Sequence, residues 1–173
     1  CNADIAGSQV YDNQFDGNLS ISHCEWMCFA GNTVLDEFTA SFCHQSLFMG
    51  NKFYGDCHFN GDVQRLLSNF FYQDVSITQG PNQQLRNNNF SATSMLEIWY
   101  CSAKLFNNNL SGLFVNYPSL AQMSNNNFIE SSLPVTLEGE NVFHYDPMYL
   151  SGVDLHSANP ALIRKGVPLP DNY

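Results

Sequence analysis

The stretch CEWMCFAGNTVLDEFTASFCHQSLFMGNKFYGDC, residues 24–57, decides the fold. Its large apolar residues fall at Cys24, Phe29, Val34 and Phe38, then at Cys43, Phe48, Phe53 and Cys57, each 19 positions after its counterpart. The repeat is visible directly in FAGNTV from Phe29 and FMGNKF from Phe48. An amphipathic helix needs apolar residues three and four apart. Steps of five, five, four and five do not make that stripe. They fit a coil with four short sides, each turning one large side chain inward before the chain bends. One such coil cannot bury its own apolar residues, so stability must come from stacking on its neighbours.

Upstream, Ile5, Val10, Phe15 and Leu19 form the preceding set at the same spacing. Downstream the pattern loosens between Gly61 and Gln84, where Val63, Leu67, Phe71 and Val75 or Ile77 suggest one irregular coil. There TQGPNQQ, residues 78–84, reads as a loop punctuated by Gly-Pro. The beat returns in Leu85, Phe90, Met95 and Tyr100, then Leu105, Leu110, Val115 and Leu120, then Met123, Phe128, Leu133 and Leu137. The Asn triplets at 87–89, 107–109 and 125–127 keep step with it. The expected fold is therefore all-β: a right-handed, four-sided parallel β-helix of about seven coils, roughly 35 Å long at the usual strand spacing. It occupies residues 1–143, with the irregular coil and loop at 61–84.

Two places before a central apolar residue the side chain also points inward, and there Asn recurs: Asn13, Asn32 and Asn51, then Asn88, Asn108 and Asn126. Stacked amides can hydrogen-bond along the column and so be buried at low cost. Gly17, Gly31, Gly50, Gly55 and Gly61 suit corners that need positive φ.

The triplets Ala3-Asp4-Ile5, Gly17-Asn18-Leu19, Asn88-Asn89-Phe90, Asn108-Asn109-Leu110 and Asn126-Asn127-Phe128 resemble the unit of pentapeptide-repeat proteins: a small residue, Asp or Asn, then Leu or Phe. The resemblance covers about residues 3–142 and departs in using Asn or Ser where the family favours Ala, and in its many four-residue steps. It implies the solenoid fold, and speaks less directly to function. The segment 68–120, with SNFFYQDVSITQG and NNNLSGLFVN, is similar to the β-helix region of type III secreted effectors that carry a HECT-like ubiquitin ligase. That likeness implies a substrate-positioning domain, with catalysis elsewhere.

Past about His144 the beat stops, and residues 144–173 read as a capping or extended segment. Asn159-Pro160, then Ala161 to Lys165 and Gly166, carry the signals of a short helix. Leu162 and Ile163 would cover the open end of the rod. At the other end, Cys1 admits two readings, the acylated first residue of a lipoprotein or a cut from a longer chain, and the absence of a tether before Ala3 favours the cut.

Composition narrows the function classes. The formal net charge is −10 with six Lys and Arg, which disfavours direct nucleic-acid binding and permits a basic partner. No apolar run is long enough for a membrane span. The six cysteines lack paired CxxC spacing, so neither a disulfide framework nor a zinc ribbon is supported, and no cofactor or metal is expected. His23-Cys24, Cys43-His44 and Cys57-His58 read as inward thiols beside outward imidazoles, the alternative being a metal site from His23 and His44 on stacked coils.

The candidate binding residues are the acids Asp36, Glu37 and Asp56 and the outward aromatics Trp26, Tyr54 and Trp99. Catalysis on sugars needs paired carboxylates, and Glu37 with Asp56 is the nearest pair, with no cation in its register, although Lys52 is close. The expected function is a non-catalytic binding or scaffold surface for a protein partner, in a larger secreted effector or a viral or bacterial surface assembly. Two alternatives are carried. One is an acidic DNA mimic that binds DNA gyrase, as the family resemblance implies, or another nucleic-acid-binding protein; the other is a β-helix that binds or cleaves polysaccharide.

Overall fold

The computed structural model describes residues 7–62, 64–116, 120–128, 139–140, 148–151, 154–160 and 162. Its first turn comprises β1 (Gln9–Tyr11), β2 (Gln14–Phe15) and β3 (Leu19–Ser22). The second comprises β4 (Cys28–Ala30), β5 (Thr33–Val34) and β6 (Phe38–Ser41), and the third β7 (Leu47–Met49), β8 (Lys52–Phe53) and β9 (Cys57–Asn60). The fourth runs through β10 (Arg65–Leu67), β11 (Phe70–Phe71) and the first half of β12 (Val75–Arg86). The fifth takes the rest of β12, β13 (Asn89–Phe90) and the first half of β14 (Met95–Phe106). The sixth takes the rest of β14, β15 (Asn109–Leu110) and β16 (Gly112–Val115). A seventh begins with β17 (Leu120–Ser124) and β18 (Asn127–Phe128); β19 (Gly139–Glu140) pairs with β17. Every pairing between turns is parallel, and no described residue is helical.

The chain is thus a parallel β-solenoid of about six turns. Three of its sides carry strand ladders. Side 1 stacks β1, β4, β7, β10, the ends of β12 and β14, and β17. Side 2 stacks β2, β5, β8, β11, β13, β15 and β18. Side 3 stacks β3, β6, β9, the starts of β12 and β14, and β16. The fourth side expected from the spacing shrinks to a single bridge, Glu25 to His44. Left-handed residues bracket it so closely (His23 and Trp26, then Phe42 and Gln45) that no ladder has room to form.

Alternation on these short strands selects the core. Val10, Phe29, Phe48, Leu66, Leu85, Leu105 and Met123 line side 1. Phe15, Val34, Phe53, Phe71, Phe90, Leu110 and Phe128 line side 2. Side 3 is longer and turns two rows inward, one from Leu19 to Leu113 and one from Ile21 to Val115. The Phe rings stack along the axis; Phe53 and Phe71 lie 5.3 Å apart at 7°. Each fully buried Phe contributes about 1.5–3 kcal/mol of transfer free energy, which offsets the cost of ordering so thin a coil.

Several expectations are corrected. Leu66 rather than Leu67 is the inward residue of β10. Met95 and Tyr100 are exposed, at 42% and 63%, while Leu96 and Cys101 take the core positions. The stretch 78–84 is not a free loop: it lies within β12, whose register shifts between Gly80 and Gln83. Gly31, Gly50 and Gly61 do have positive φ, but Gly17 and Gly55 do not. At Gly55 the requirement is close approach, since a Cβ would lie 2.6 Å from the Asp36 carbonyl oxygen and 2.8 Å from the Glu37 nitrogen. Ile5, Val63, Leu133 and Leu137, and the helix residues Ala161 and 163–166, lie outside the described residues, as does the side chain of Leu120. Of the C-terminal segment, β20 (Tyr149–Ser151) and β21 (Asp154–Ser157) form an antiparallel hairpin. It lies against the flank of side 2, with the His156 ring 4.8 Å from that of Phe70.

Between sides 1 and 2 runs a column of seven asparagines: Asn13, Asn32, Asn51, Asn69, Asn88, Asn108 and Asn126. In every step the backbone N–H and the Nδ2 of one Asn donate to the Oδ1 of the next, at 2.9–3.3 Å. From Asn32 onward each Nδ2 also donates to a carbonyl one turn back, such as Phe29 O from Asn51 and Phe48 O from Asn69. The residue before each of these asparagines has positive φ: Asp12, Gly31, Gly50, Ser68, Asn87, Asn107 and Asn125. The Asn triplets therefore divide their labour into a left-handed corner, an inward amide and an outward amide on side 2.

Candidate functional site

The outward surfaces follow from the same alternation. Side 3 turns out two rows of mostly small polar residues, Ser20, Thr39, His58, Ser76 and then Ser22, Ser41, Asn60, Thr78. Both rows end in aromatics and an acid, because Glu97 and Trp99 follow Ser76 and Thr78, and Phe114 follows Glu97. Trp99 donates its Nε1 proton to Glu97 Oε2 at 3.1 Å. Its ring lies 5.3 Å from Phe114 and 6.5 Å from Tyr100. Trp99 is half-buried, while Phe114 and Tyr100 are exposed. Tyr100 reaches the surface because the strand kinks there into left-handed φ of 52°.

Of the residues singled out in the sequence, Trp99 is the one inside this cluster. Trp26 sits at a left-handed corner, 60% exposed. Tyr54 stacks face to face on Tyr72, centroids 4.3 Å apart, on the ridge between sides 2 and 3. Burial, with Tyr54 and Asp154 nearby, pushes the Tyr72 phenol well above its ordinary value. Glu37 and Asp56 occupy one column on adjacent turns, each preceding a paired residue of side 3. Asp74 continues the column.

These acids are partly engaged. Glu37 lies 3.7 Å from the His58 Nε2. Asp56 accepts the Asp74 backbone N–H at 3.2 Å, and Asp74 accepts that of Met95 at 2.8 Å. Asp36 is exposed, its backbone packed under Gly55. Two residues of the aromatic cluster, Tyr100 and Phe114, were missed in the sequence. Phe114 was legible from Leu-Phe-Val alternation at 113–115, whereas Tyr100 was assigned to the core.

Cys24, Cys43, Cys57 and Cys101 are buried thiols, Cys43 pushed up to about 12 by burial and Cys101 up to about 11 for the same reason. Such thiols are poor nucleophiles and fill space in the core. His23 and His44 are not stacked partners: His23 packs on Phe42 at 5.1 Å, and His44 pairs with Glu25 and lies 3.6 Å from Asp62. Among the described residues, no three His, Cys, Asp or Glu side chains converge to hold a metal ion. No helix among the described residues is long and apolar enough to cross a membrane.

What the arrangement can do is offer fixed, chemically distinct faces. Comparison with family models, with curated proteins and with solved structures finds no match. The chain is therefore characterised by its fold, a parallel β-solenoid of about six turns with an aromatic and acidic cluster at the end of its third side.

Proposed function

We propose that this chain is a non-catalytic binding and scaffold module, a stiff rod that presents a fixed surface to a protein partner. The observation that carries the reading is the cluster of Trp99, Tyr100 and Phe114 beside Glu97, with Tyr100 exposed on β14 and Phe114 exposed on β16, the strand laid against it. Aromatic anchors with a polar handle dominate the energetics of protein interfaces. Holding them on a ladder leaves little conformational entropy to lose on association. In this reading the rod is one domain of a larger secreted effector or surface assembly, built from pentapeptide-like coils.

A glycan reading has one specific observation behind it, the two hydroxyl-rich rows of side 3 leading to the Trp99 ring. The DNA-mimic reading has less, since the acidic column of Glu37, Asp56 and Asp74 spans three turns and two of its carboxylates accept backbone amides. The test is capture of partners by the intact chain, by W99A/Y100A and by E37K/D56K, with a glycan array in parallel. Loss of a protein partner in W99A/Y100A alone supports the reading. Loss only in E37K/D56K moves the site to the acidic column, while glycan binding without a protein partner replaces it.

A further inference from the structure

Side 1 is the most cationic of the three solvent faces. From β1 to β17 its outward positions include Arg65, Arg86 and Lys104, three of the chain's six Lys and Arg, and no Asp or Glu; the first acid in its rows is Glu140 of β19, paired with Ser124. Beside the cations the face is apolar: Leu47 and Leu67 are half-buried and Met49 is 42% exposed.

Acids outnumber cations in this chain, yet neither Arg65 nor Lys104 forms an ion pair among the described residues; the ion pairs there are all between His and a carboxylate. The Arg65 Nε is buried with no hydrogen-bond partner among the described residues. A desolvated guanidinium N–H without an acceptor is costly, and turning the side chain outward onto a partner's carboxylate relieves that cost. Arg86 is itself buried, its guanidinium 5.2 Å over the Phe106 ring, so the accessible cations of the face are Arg65 and Lys104.

We infer that side 1 is a docking face for an acidic, apolar-containing extended peptide segment of a partner protein, laid across the strands. Arg65 and Lys104 share one outward row two strands apart, with Gln84 between them, which is about 10 Å at the usual strand spacing. A polyproline-II segment repeats its facing side every three residues, about 9.3 Å, so carboxylates three apart meet both cations. Apolar residues of the segment that run on past Arg65 fall on Leu47, with Leu67 and Met49 in the adjoining row. A long polyanion fits less well, because the rest of a molecule with net charge −10 repels it.

The inference rests on the reading of the chain as a binding rod, but it uses a different side from the Trp99 cluster, so the two can fail separately. The experiment is fluorescence anisotropy with a labelled peptide of about fifteen residues repeating Glu-Pro-Leu, its Lys-Pro-Leu counterpart, and heparin as a polyanion. The intact chain is expected to bind the acidic peptide and not the basic one. Its Kd should rise at least about tenfold, or about 1.4 kcal/mol, in R65E/K104E, and should rise with salt. W99A/Y100A should bind the peptide as the parent does, whatever becomes of its protein partner.

R65Q/K104Q, with an unchanged melting temperature, keeps the test independent of charge-reversal damage and should also weaken binding. Failure of the parent to bind the acidic peptide overturns the inference. So does unchanged affinity in folded R65Q/K104Q, and so does binding of heparin without the peptide.

Discussion

Replacing Asn69 with Leu tests the amide column at its middle. Asn69 Oδ1 accepts the backbone N–H of Asn51 at 3.0 Å and its Nδ2 at 3.0 Å, while its own Nδ2 donates to Phe48 O at 2.9 Å. Leu has nearly the same shape, so the cavity term is small. It cannot accept, however, and strands the buried Asn51 N–H; the Asn51 Nδ2 keeps its bond to Phe29 O. A stranded buried donor costs about 1–3 kcal/mol, and the added apolar burial recovers part of that, leaving a net loss of about 1–2 kcal/mol. For a domain of this size each kcal/mol shifts Tm by about 2–4 °C, so a fall of roughly 2–8 °C is expected. Thermal melts followed by circular dichroism, with hydrogen exchange at the Asn51 amide, make the measurement. Asn13→Leu is the control, because Asn13 is exposed at the first turn and should change little. If N69L melts within about 1 °C of the parent and the Asn51 amide stays protected, the column is not what secures the turns.

Gly55→Ala should destabilise by about 2–4 kcal/mol, because the new methyl meets the backbone of Asp36 and Glu37 and backbone cannot step aside. Gly50→Ala meets nothing within 4 Å and suffers only its φ of 64°, about 1–2 kcal/mol, so chemical denaturation should rank the two in that order. The buried thiols set an alkaline limit. With Cys43 raised from 9.0 to about 12 by burial and Cys57 raised too, their contribution is complete below pH 9 and is lost as pH climbs towards 12. The thiol contribution to melting should therefore be constant below pH 9 and fall above it. Iodoacetamide at pH 8 should label half-buried Cys28 well before Cys43 or Cys57, and equal labelling rates would contradict the burial described.

The fold was legible because the corner between sides 1 and 2 never varies. Val10 to Phe15, Phe29 to Val34, Phe48 to Phe53, Leu66 to Phe71, Leu85 to Phe90, Leu105 to Leu110 and Met123 to Phe128 are all five residues apart. The other corners do vary. Phe53 and Cys57 are four apart, but Phe90 and Leu96 are six apart, the extra residues forming a turn in which Ser94 N donates to Ser91 O at 3.3 Å. Carrying the five-residue beat through that corner placed Met95 and Tyr100 inward, when Leu96 and Cys101 are.

The long third side was invisible to a rule of one inward residue per side, which is why Ile21, Ala40, Phe59 and Ile98 were not picked out and why Val75 and Ile77 stood as alternatives when both point inward. Asn69 escaped because its turn is 18 residues rather than 19 and begins in the stretch that looked irregular. Of the surface, Trp99 could be found as an outward aromatic. Its grouping with Phe114 depends on the register between two adjacent turns, which no local pattern records.

The constancy of one corner and the laxity of the others make this chain self-indexing. Whatever length is gained or lost around a turn, the next Asn resets the count, as it does at Asn108, 20 residues after Asn88, and again at Asn126, 18 residues later. An added segment at the Ser91–Ser94 turn therefore propagates no error into later coils, and the closure entropy of a longer loop grows only slowly with its length. The rod is in this sense a ruler to which foreign loops can be fastened at a chosen mark, with the spacing of everything beyond the graft preserved.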